Sequence, residues 1–469
     1  MRVVALFAIA VLGIAIAAAA VAGAPLLVSV AVLVVMSLLW ALFAILLCGA
    51  REAGHLLSYE WVRGLCGHYR ERAWPSGARR TIPRPRRNAD APTLAWSHDG
   101  WTHADGHLLG LDLLDSKWQV TAFGWEPRFR GDPTVTVELL PGIRRGPGLR
   151  LLGLERRLRA FDAVWAGGSY EGTTWQALEA RARGGPFVVS FEVESVVANY
   201  GCVSHPLRER AIREVDHFCV TSTIAASVLE LDGVEPERMS LVPMPVDAPA
   251  LSPQELAALR SEGRRRWQLE EADVVALFIG RGVWEKGLHT VAGAAARLGR
   301  VPGSRVRWLV AGEGEYFARF RQIIEHYEVT DAVRVVGWLG DRDRHLCYAS
   351  ADVLVVPSNP TPHVLEQFGR VIPEALHFGL PVVGSASGAI PEVIGDAGTI
   401  VAPADHLGLA TAVDAMTDAA YRRSLGERAR RRAIDYSVVS YVDRVSAALE
   451  SGRERHDRVF QSRLTGAAR

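Results

Sequence analysis

The sequence predicts an α/β chain of two doubly wound halves facing across a cleft, preceded by an apolar helical hairpin. Three observations predict it. Short β-rich runs alternate with amphipathic stretches across residues 93–430, the pattern of βαβ units around a parallel sheet. The alternation is interrupted once, at "APALSPQELAALRSEGRRRWQL", so two such sheets are expected. Residues 3–50 carry no charged side chain, so they stand apart from both.

The bulk numbers agree with this layout. A chain of 469 residues is too long for one ordinary core and favours two domains. A formal net charge of +1 provides no global basic field for nucleic acid. Hydrophobic content is 49%, and the excess is local. Cys48, Cys66, Cys202, Cys219 and Cys347 are scattered, with no CxxC and no metal-like spacing. They read as reduced structural thiols of a cytosolic domain. Lys117 and Lys286 are the two lysines; nearly every other base is arginine. A compact ammonium kept among guanidinium forks marks its position. No repeat occurs at solenoid periods.

The leading segment, 1–50, reads as a transmembrane hairpin. "VVALFAIAVLGIAIAAAAVA" and "LLVSVAVLVVMSLLWALFAILLC" each reach the ~20 apolar residues of a spanning helix, with the turn signal "GAP" between them. Arg2 precedes the hairpin; Arg51, Arg63, Arg70 and Arg72 begin the series that follows it. The positive-inside rule puts both ends in the cytoplasm. A rival reading is a signal peptide cleaved near "AVAGA", which leaves one spanning helix and the same orientation. Residues 51–92 are a basic juxtamembrane linker with Trp61, Tyr69 and Trp74 among its arginines. They suit either a helix at the lipid headgroups or a solvated linker.

Residues 93–248 form the first Rossmann-like domain, with strand candidates "TLAW", "WQVTAFG", "TVTVELL", "AVWAGG", "FVVSFEV", "HFCVTS" and "MSLVPM". A hinge is expected near 245–270. Ser252 and Glu255 form an S-x-x-E capping box, with Pro253 at the first helical position, so a helix starts there. The second domain, 249–435, offers "VVALFIG", "VRWLVAG", "VRVVG", "VLVVPS", "PVVGS" and "GTIVAP". Residues 436–469 read as an amphipathic helix packing back toward the first domain, then a tail. Ligands of such sheets bind at the carboxyl ends of strands, here in the cleft.

"EQFGRVIPEALHFGLPVVGSASGAIPEVI" carries the chemistry. Pro373 is tolerated only in the first turn of a helix, so the helix is expected to begin near Gly369 or Arg370. The free N–H groups of residues 368–371 then make an anion site, which Gly369 leaves open to close approach. Glu366 lies just before that turn and Glu374 one turn inside. Acids beside an anion site suit hydroxyl partners. Phosphate in the middle and sugars at either end describe a nucleotide sugar. In "FIGRGVWEKGLHTV", Arg281 and Lys286 follow Gly280 and supply counter-charge to a diphosphate.

These segments together resemble the retaining glycosyltransferases of family 4, of GT-B fold. The likeness rests on "GRGVWEKG", "VAGEGE", "VRVVGWL", "ADVLVVPS", the E-x7-E of "EQFGRVIPE", and "GLPVVGSASGAIPEVI", in this order. It covers residues 215–450 well and 93–214 loosely. The resemblance implies that Arg281 and Lys286 hold the donor diphosphate and Glu366 bonds the transferred sugar. Glu374 would bond the ribose, the backbone of Phe368, Gly369 and Arg370 would cradle phosphate or sugar, and Trp338 would flank the base. It implies no metal and no cofactor beyond the nucleotide-diphosphate sugar itself, and front-side displacement in which the leaving diphosphate takes the acceptor proton.

The first domain departs from the family pattern. Its first loop, "SHDGWTHADGHLLGLDLL", places His98 and Asp99 on the acceptor side, and "FVVSFEVES" places Glu192 where a histidine is expected. Glu192 either bonds an acceptor or sugar hydroxyl, or caps the next helix or pairs with an arginine. The expectation is a retaining, metal-independent glycosyltransferase at the cytoplasmic membrane face, with a lipid-linked or glycan acceptor. The alternative is a non-catalytic GT-B scaffold that binds nucleotide sugar at a membrane assembly.

Overall fold

The computed structural model describes residues 91–97, 110–115, 117–124, 135–145, 148–197 and 201–466. The apolar hairpin and the basic linker expected over 1–92 fall almost wholly outside the described residues, as do His98 and Asp99. Among the described residues no helix is long and apolar enough to cross a membrane. Both sheets belong to one compact unit, residues 80–198 with 207–469.

The first half runs β1 (Thr93–Ser97), α1 (Leu111–Leu114), β2 (Gln119–Gly124), β3 (Thr136–Leu139), β4 (Gly142–Arg145), β5 (Gly148–Leu151), α2 (Leu154–Leu158) and β6 (Ala163–Ala166). It continues through α3 (Gly172–Arg181), β7 (Phe187–Glu192), α4 (Gly201–Glu214), β8 (His217–Val220), α5 (Thr223–Leu231) and β9 (Met239–Leu241). Seven of these strands form one parallel sheet in the order β3-β2-β1-β6-β7-β8-β9. The hairpin β4–β5 stands apart as an antiparallel pair. Sequence reasoning passed over it, although "GPG" between two short runs is a turn signal.

The second half runs α6 (Pro253–Arg266), β10 (Val274–Ile279), α7 (Leu288–Gly299), β11 (Val306–Ala311), α8 (Tyr316–His326), β12 (Val333–Gly337), α9 (Asp341–Ser350) and β13 (Val353–Val356). Then come α10 (Val371–His377), β14 (Val382–Ser385), α11 (Ile390–Ile394), β15 (Gly398–Val401), α12 (His406–Ala415), α13 (Ala419–Ala433) and α14 (Val438–Gly466). Its parallel sheet has the order β12-β11-β10-β13-β14-β15. Both sheets are therefore wound outward in two directions from a first strand, the Rossmann-like arrangement.

Strand alternation builds the cores. On β10, Val275 and Leu277 face one layer of apolar side chains, while Val274, Ala276 and Phe278 face the other. A sheet covered on both faces needs such continuous apolar strands. In the first sheet, Trp96 and Trp165 from adjacent strands stack at 4.7 Å. Tyr441, Val442, Val445, Ala448 and Leu449 of α14 share that apolar cluster with Leu94 and Trp96. The last long helix thus seals a face of the first domain.

One polar knot fixes the centre of the second sheet. Asp352, just ahead of β13, is 7% exposed. It receives Arg260 at 2.8 Å and Arg264 at 2.7 Å from α6, and the backbone N–H of Val275 in β10 at 2.8 Å. The start of α6 is set by a capping box between Ser252 and Glu255. Asp352→Ala strands the buried guanidinium of Arg264, 3% exposed, and losing one partner of a buried pair costs about 3–5 kcal/mol. Urea unfolding of Asp352→Ala is expected to show a loss of that order at unchanged m-value.

Candidate active site

β10 and β13 are neighbours at the point where the second sheet reverses its winding. Loops leaving the carboxyl ends of two such strands diverge and leave a crevice. After β10 comes the loop with Gly280, Arg281 and Lys286, which ends in the short 3-10 turn Trp284–Lys286. Gly280 N–H bonds Ala311 O at 3.1 Å, and Gly282 N–H bonds Glu313 O at 2.7 Å, so the loop lies against the end of β11. Gly287 closes it with φ +75°, and a Cβ there would sit 1.9 Å from Pro357 O beyond β13. Glycine alone permits that approach. After β13 come Ser358 and the 359–370 stretch carrying Glu366.

The two loops meet at one carboxylate oxygen. Lys286 Nζ lies 2.6 Å from Glu366 Oε2, with the side chains 25% and 10% exposed. Ser358 Oγ donates to the same oxygen at 2.8 Å. Among the described residues no protein donor bonds Glu366 Oε1, so that oxygen keeps its accepting capacity. An ammonium has three donors, and Lys286 directs one of them to Glu366. Arg281 is exposed and has no ion pair among the described residues. Lys286 is committed to Glu366, so Arg281 is the base of this loop left without an ion pair among the described residues.

The helix after Glu366 starts at Val371, one or two residues later than expected, with Arg370 as its N-cap in helical geometry. Gly369 has φ +75° and makes the turn, its O accepting from Ile372 N–H at 2.8 Å. Pro373 falls in the first turn, as its missing N–H requires. Among the described residues, the N–H groups of Phe368, Gly369, Arg370 and Val371 bond no protein acceptor. Phe368 is 2% exposed and sits edge-on to Tyr436. Arg370 is half-buried, and its Nε has no partner.

Glu374 is 14% exposed and is already engaged. Tyr348 Oη donates to its Oε2 at 2.7 Å, and Arg344 Nε stands 3.7 Å from it. Burial, and then the Glu374 charge, push the Tyr348 phenol well above its ordinary range, which keeps it a donor. Trp338, beyond β12, is 53% exposed.

In the first domain Glu192 ends β7 and is 1% exposed. Its Oε1 accepts from Ser169 N–H at 2.6 Å and Ser190 Oγ at 3.0 Å, and its Oε2 lies 3.7 Å from Arg208. Arg208 is itself tied to Asp232 and Ser169. Of the two readings the sequence left open for Glu192, pairing with an arginine is the one this geometry contains; the carboxylate does not line an open surface. Burial pushes it up to about 7, against the downward pull of Arg208, Ser190 and Ser169.

Sequence reasoning named Arg281, Lys286, Glu366 and Glu374 but passed over Ser358 and Tyr348. Ser358 stood inside the quoted "VLVVPS", eight residues before Glu366. Tyr348 lies on α9 and gave no local signal.

Residues 260–432 match the family described as Glycosyl transferases group 1. The chain is 30% identical over 244 residues to the MMP alpha-(1->4)-mannosyltransferase of Mycolicibacterium hassiacum, covering 50% of this chain and 53% of that one. It is 30% identical over 269 residues to the D-inositol 3-phosphate glycosyltransferase of Geodermatophilus obscurus, covering 55% and 57%. The chain thus spans little more than half the length of these curated relatives. Among solved structures, Anabaena Alr3699/HepE in complex with UDP and glucose matches with a TM-score of 0.59 at 18% identity, over 77% of this chain and 100% of that one. Likeness at that identity speaks for the fold. The architecture is GT-B-like, two Rossmann-like α/β domains with parallel sheets.

The raised Glu192 fixes a sign. Its folded pKa of about 7 exceeds the ordinary 4.5, so its share of stability is full below 4.5 and is lost as pH rises through about 7. Wild type is expected to lose melting temperature relative to Glu192→Gln as pH is raised from about 5 to about 8, read by differential scanning fluorimetry on both proteins.

Proposed function

We propose that this protein is a retaining glycosyltransferase that moves a sugar from a nucleotide-diphosphate donor to an acceptor hydroxyl. The observation that carries the reading is the convergence on Glu366: a carboxylate with one oxygen held by Lys286 and Ser358 and the other free, beside a stretch of unbonded N–H groups. The group 1 match over 260–432 supports glycosyl transfer.

In this reading Arg281, the remaining donors of Lys286 and the N–H groups of 368–371 meet the diphosphate. Glu366 Oε1 accepts a hydroxyl of the sugar being transferred. Glu374, oriented by Tyr348, accepts from the ribose, and Trp338 flanks the base. The acceptor oxygen bonds to the anomeric carbon on the face the diphosphate leaves. The carbon–oxygen bond to the diphosphate breaks, and the acceptor proton passes to a diphosphate oxygen. No protein nucleophile, metal or further cofactor is invoked. Charge placed in advance where the diphosphate gains it lowers the barrier without reorganisation.

The acceptor is proposed to be carried on a lipid at the cytoplasmic membrane face. Support comes from the sequence: the uncharged 3–50 stretch and the arginines after it. An enzyme held at the bilayer meets lipid-carried acceptors more often than soluble ones.

Two measurements test this. Ligand at about 100 times its Kd adds roughly 2.7 kcal/mol to stability, so one nucleotide sugar in a panel is expected to raise the melting temperature by several degrees. Arg281→Ala is expected to abolish that shift; a panel with no shift in wild type overturns the reading. Removing residues 1–50 is expected to lower transfer to a lipid-carried acceptor more than to its soluble analogue. Equal loss on both defeats the lipid assignment.

A further inference from the structure

The two domains are joined by a side-chain contact at the cleft that sequence reasoning did not single out. Glu392, in α11 of the second domain, accepts through Oε2 from Thr223 N–H at 2.8 Å and Thr223 Oγ1 at 2.6 Å, at the first residue of α5 in the first domain. Ser222 caps α5 by accepting from Ala225 N–H, which leaves the Thr223 N–H as one of the orphan donors of a helix start. Glu392 satisfies it from the other domain, with a negative charge at the positive end of the helix. A surface ion pair between two long side chains is worth little. Here one carboxylate oxygen takes a backbone and a hydroxyl donor of a single residue, so one partner is already fixed.

What lies behind Glu392 gives the contact its consequence. The turn that opens α11 is bound to the main chain of Glu366. Ala389 N–H donates to Glu366 O at 2.9 Å, and a Cβ on Gly388, whose φ is +55°, would fall 2.0 Å from that oxygen. At the other end of α11, Val393 O accepts from Arg432 Nε at 3.0 Å and Tyr436 Oη at 3.1 Å. Tyr436 stands where the chain passes from α13 to α14, and its own O accepts from Val246 N–H, at the earlier crossing between the domains, at 3.1 Å. This five-residue helix therefore touches both chain crossings, the first domain through Glu392, and the backbone of the carboxylate assigned to the sugar.

We propose that Glu392 is a positioning residue: by clasping Thr223 it sets the angle between the domains and, through the 388–389 turn, the stance of Glu366. This rests on the transferase reading. Substrate entry and product release need the cleft to open, and opening breaks both hydrogen bonds and loosens the turn behind Glu366. Closure and orientation of the sugar carboxylate are then one event, as sites coupled through a two-state element must be.

The test uses the full-length chain, with hydrogen exchange and steady-state kinetics on Glu392→Ala, Glu392→Gln and Thr223→Val. A hydrogen bond to a charged group is worth enough for roughly tenfold effects. Glu392→Ala is expected to speed exchange at the Thr223 amide and at the Ala389 amide, which donates to Glu366 O, and to lower kcat roughly tenfold. Glu392→Gln, whose amide oxygen still accepts both donors, should recover most of kcat. Thr223→Val should cost nothing further in the Glu392→Ala background. Unchanged exchange at the Ala389 amide, or wild-type kcat in Glu392→Ala, overturns the proposal. If wild type transfers no sugar from any nucleotide donor, the transferase reading falls, and the exchange of the Ala389 amide still decides the clasp.

Discussion

The hydrogen-bond ladder between β10 and β13 places the chemistry. The strands are distant in the chain, yet Ala276 pairs with Val353 and Leu277 with Leu354. Asp352 reinforces that pairing by binding Val275 of one strand while standing at the head of the other. Parallel register then carries the loop with Lys286 and the loop with Glu366 to the same edge of the sheet. Without the ladder, an ammonium and a carboxylate eighty residues apart have no cause to meet.

The meeting is electrostatically economical. A lone carboxylate at 10% exposure is costly to desolvate. Lys286 and Ser358 lower that cost by acting on one oxygen. Among the described residues the other oxygen takes no protein donor, at a partly buried wall where a hydrogen bond is worth more than it is in water. Glu374 repeats the device with a phenol in place of the ammonium: Tyr348 fixes one oxygen, and a buried phenol does not surrender its proton. Arg281 remains exposed, outside that pair.

Much of this was legible in the sequence, for identifiable reasons. Strand runs such as "VVALFIG" and "VLVVPS" are short, apolar and bounded by Gly or Pro, so β10 and β13 follow from composition and length. Pro373 and Gly369 bracket a helix start by steric rules, which located α10 to within two residues. Glu366 and Lys286 stood out by residue type and by their loops. The contacts between them did not, because pairing at a distance depends on strand order, and strand order is not written locally. Ser358, Tyr348 and the Thr223–Glu392 contact were hidden for the same reason. Glu192 shows the converse: its place at a strand end was legible, but its surroundings were not, since Arg208 reaches it from the following helix.

The seal that α14 places on the first domain bears on how the protein is made. Tyr441, Val442, Val445, Ala448 and Leu449 complete an apolar layer begun at Leu94, and the ribosome adds them after both sheets. The first domain therefore waits, with part of its interior open to water, while the second is synthesised and folds. Domains that finish in chain order can be released one by one; here the earlier one is finished by the later one. The nascent protein carries an unsheltered apolar surface through most of its translation, and its halves are bound to mature together.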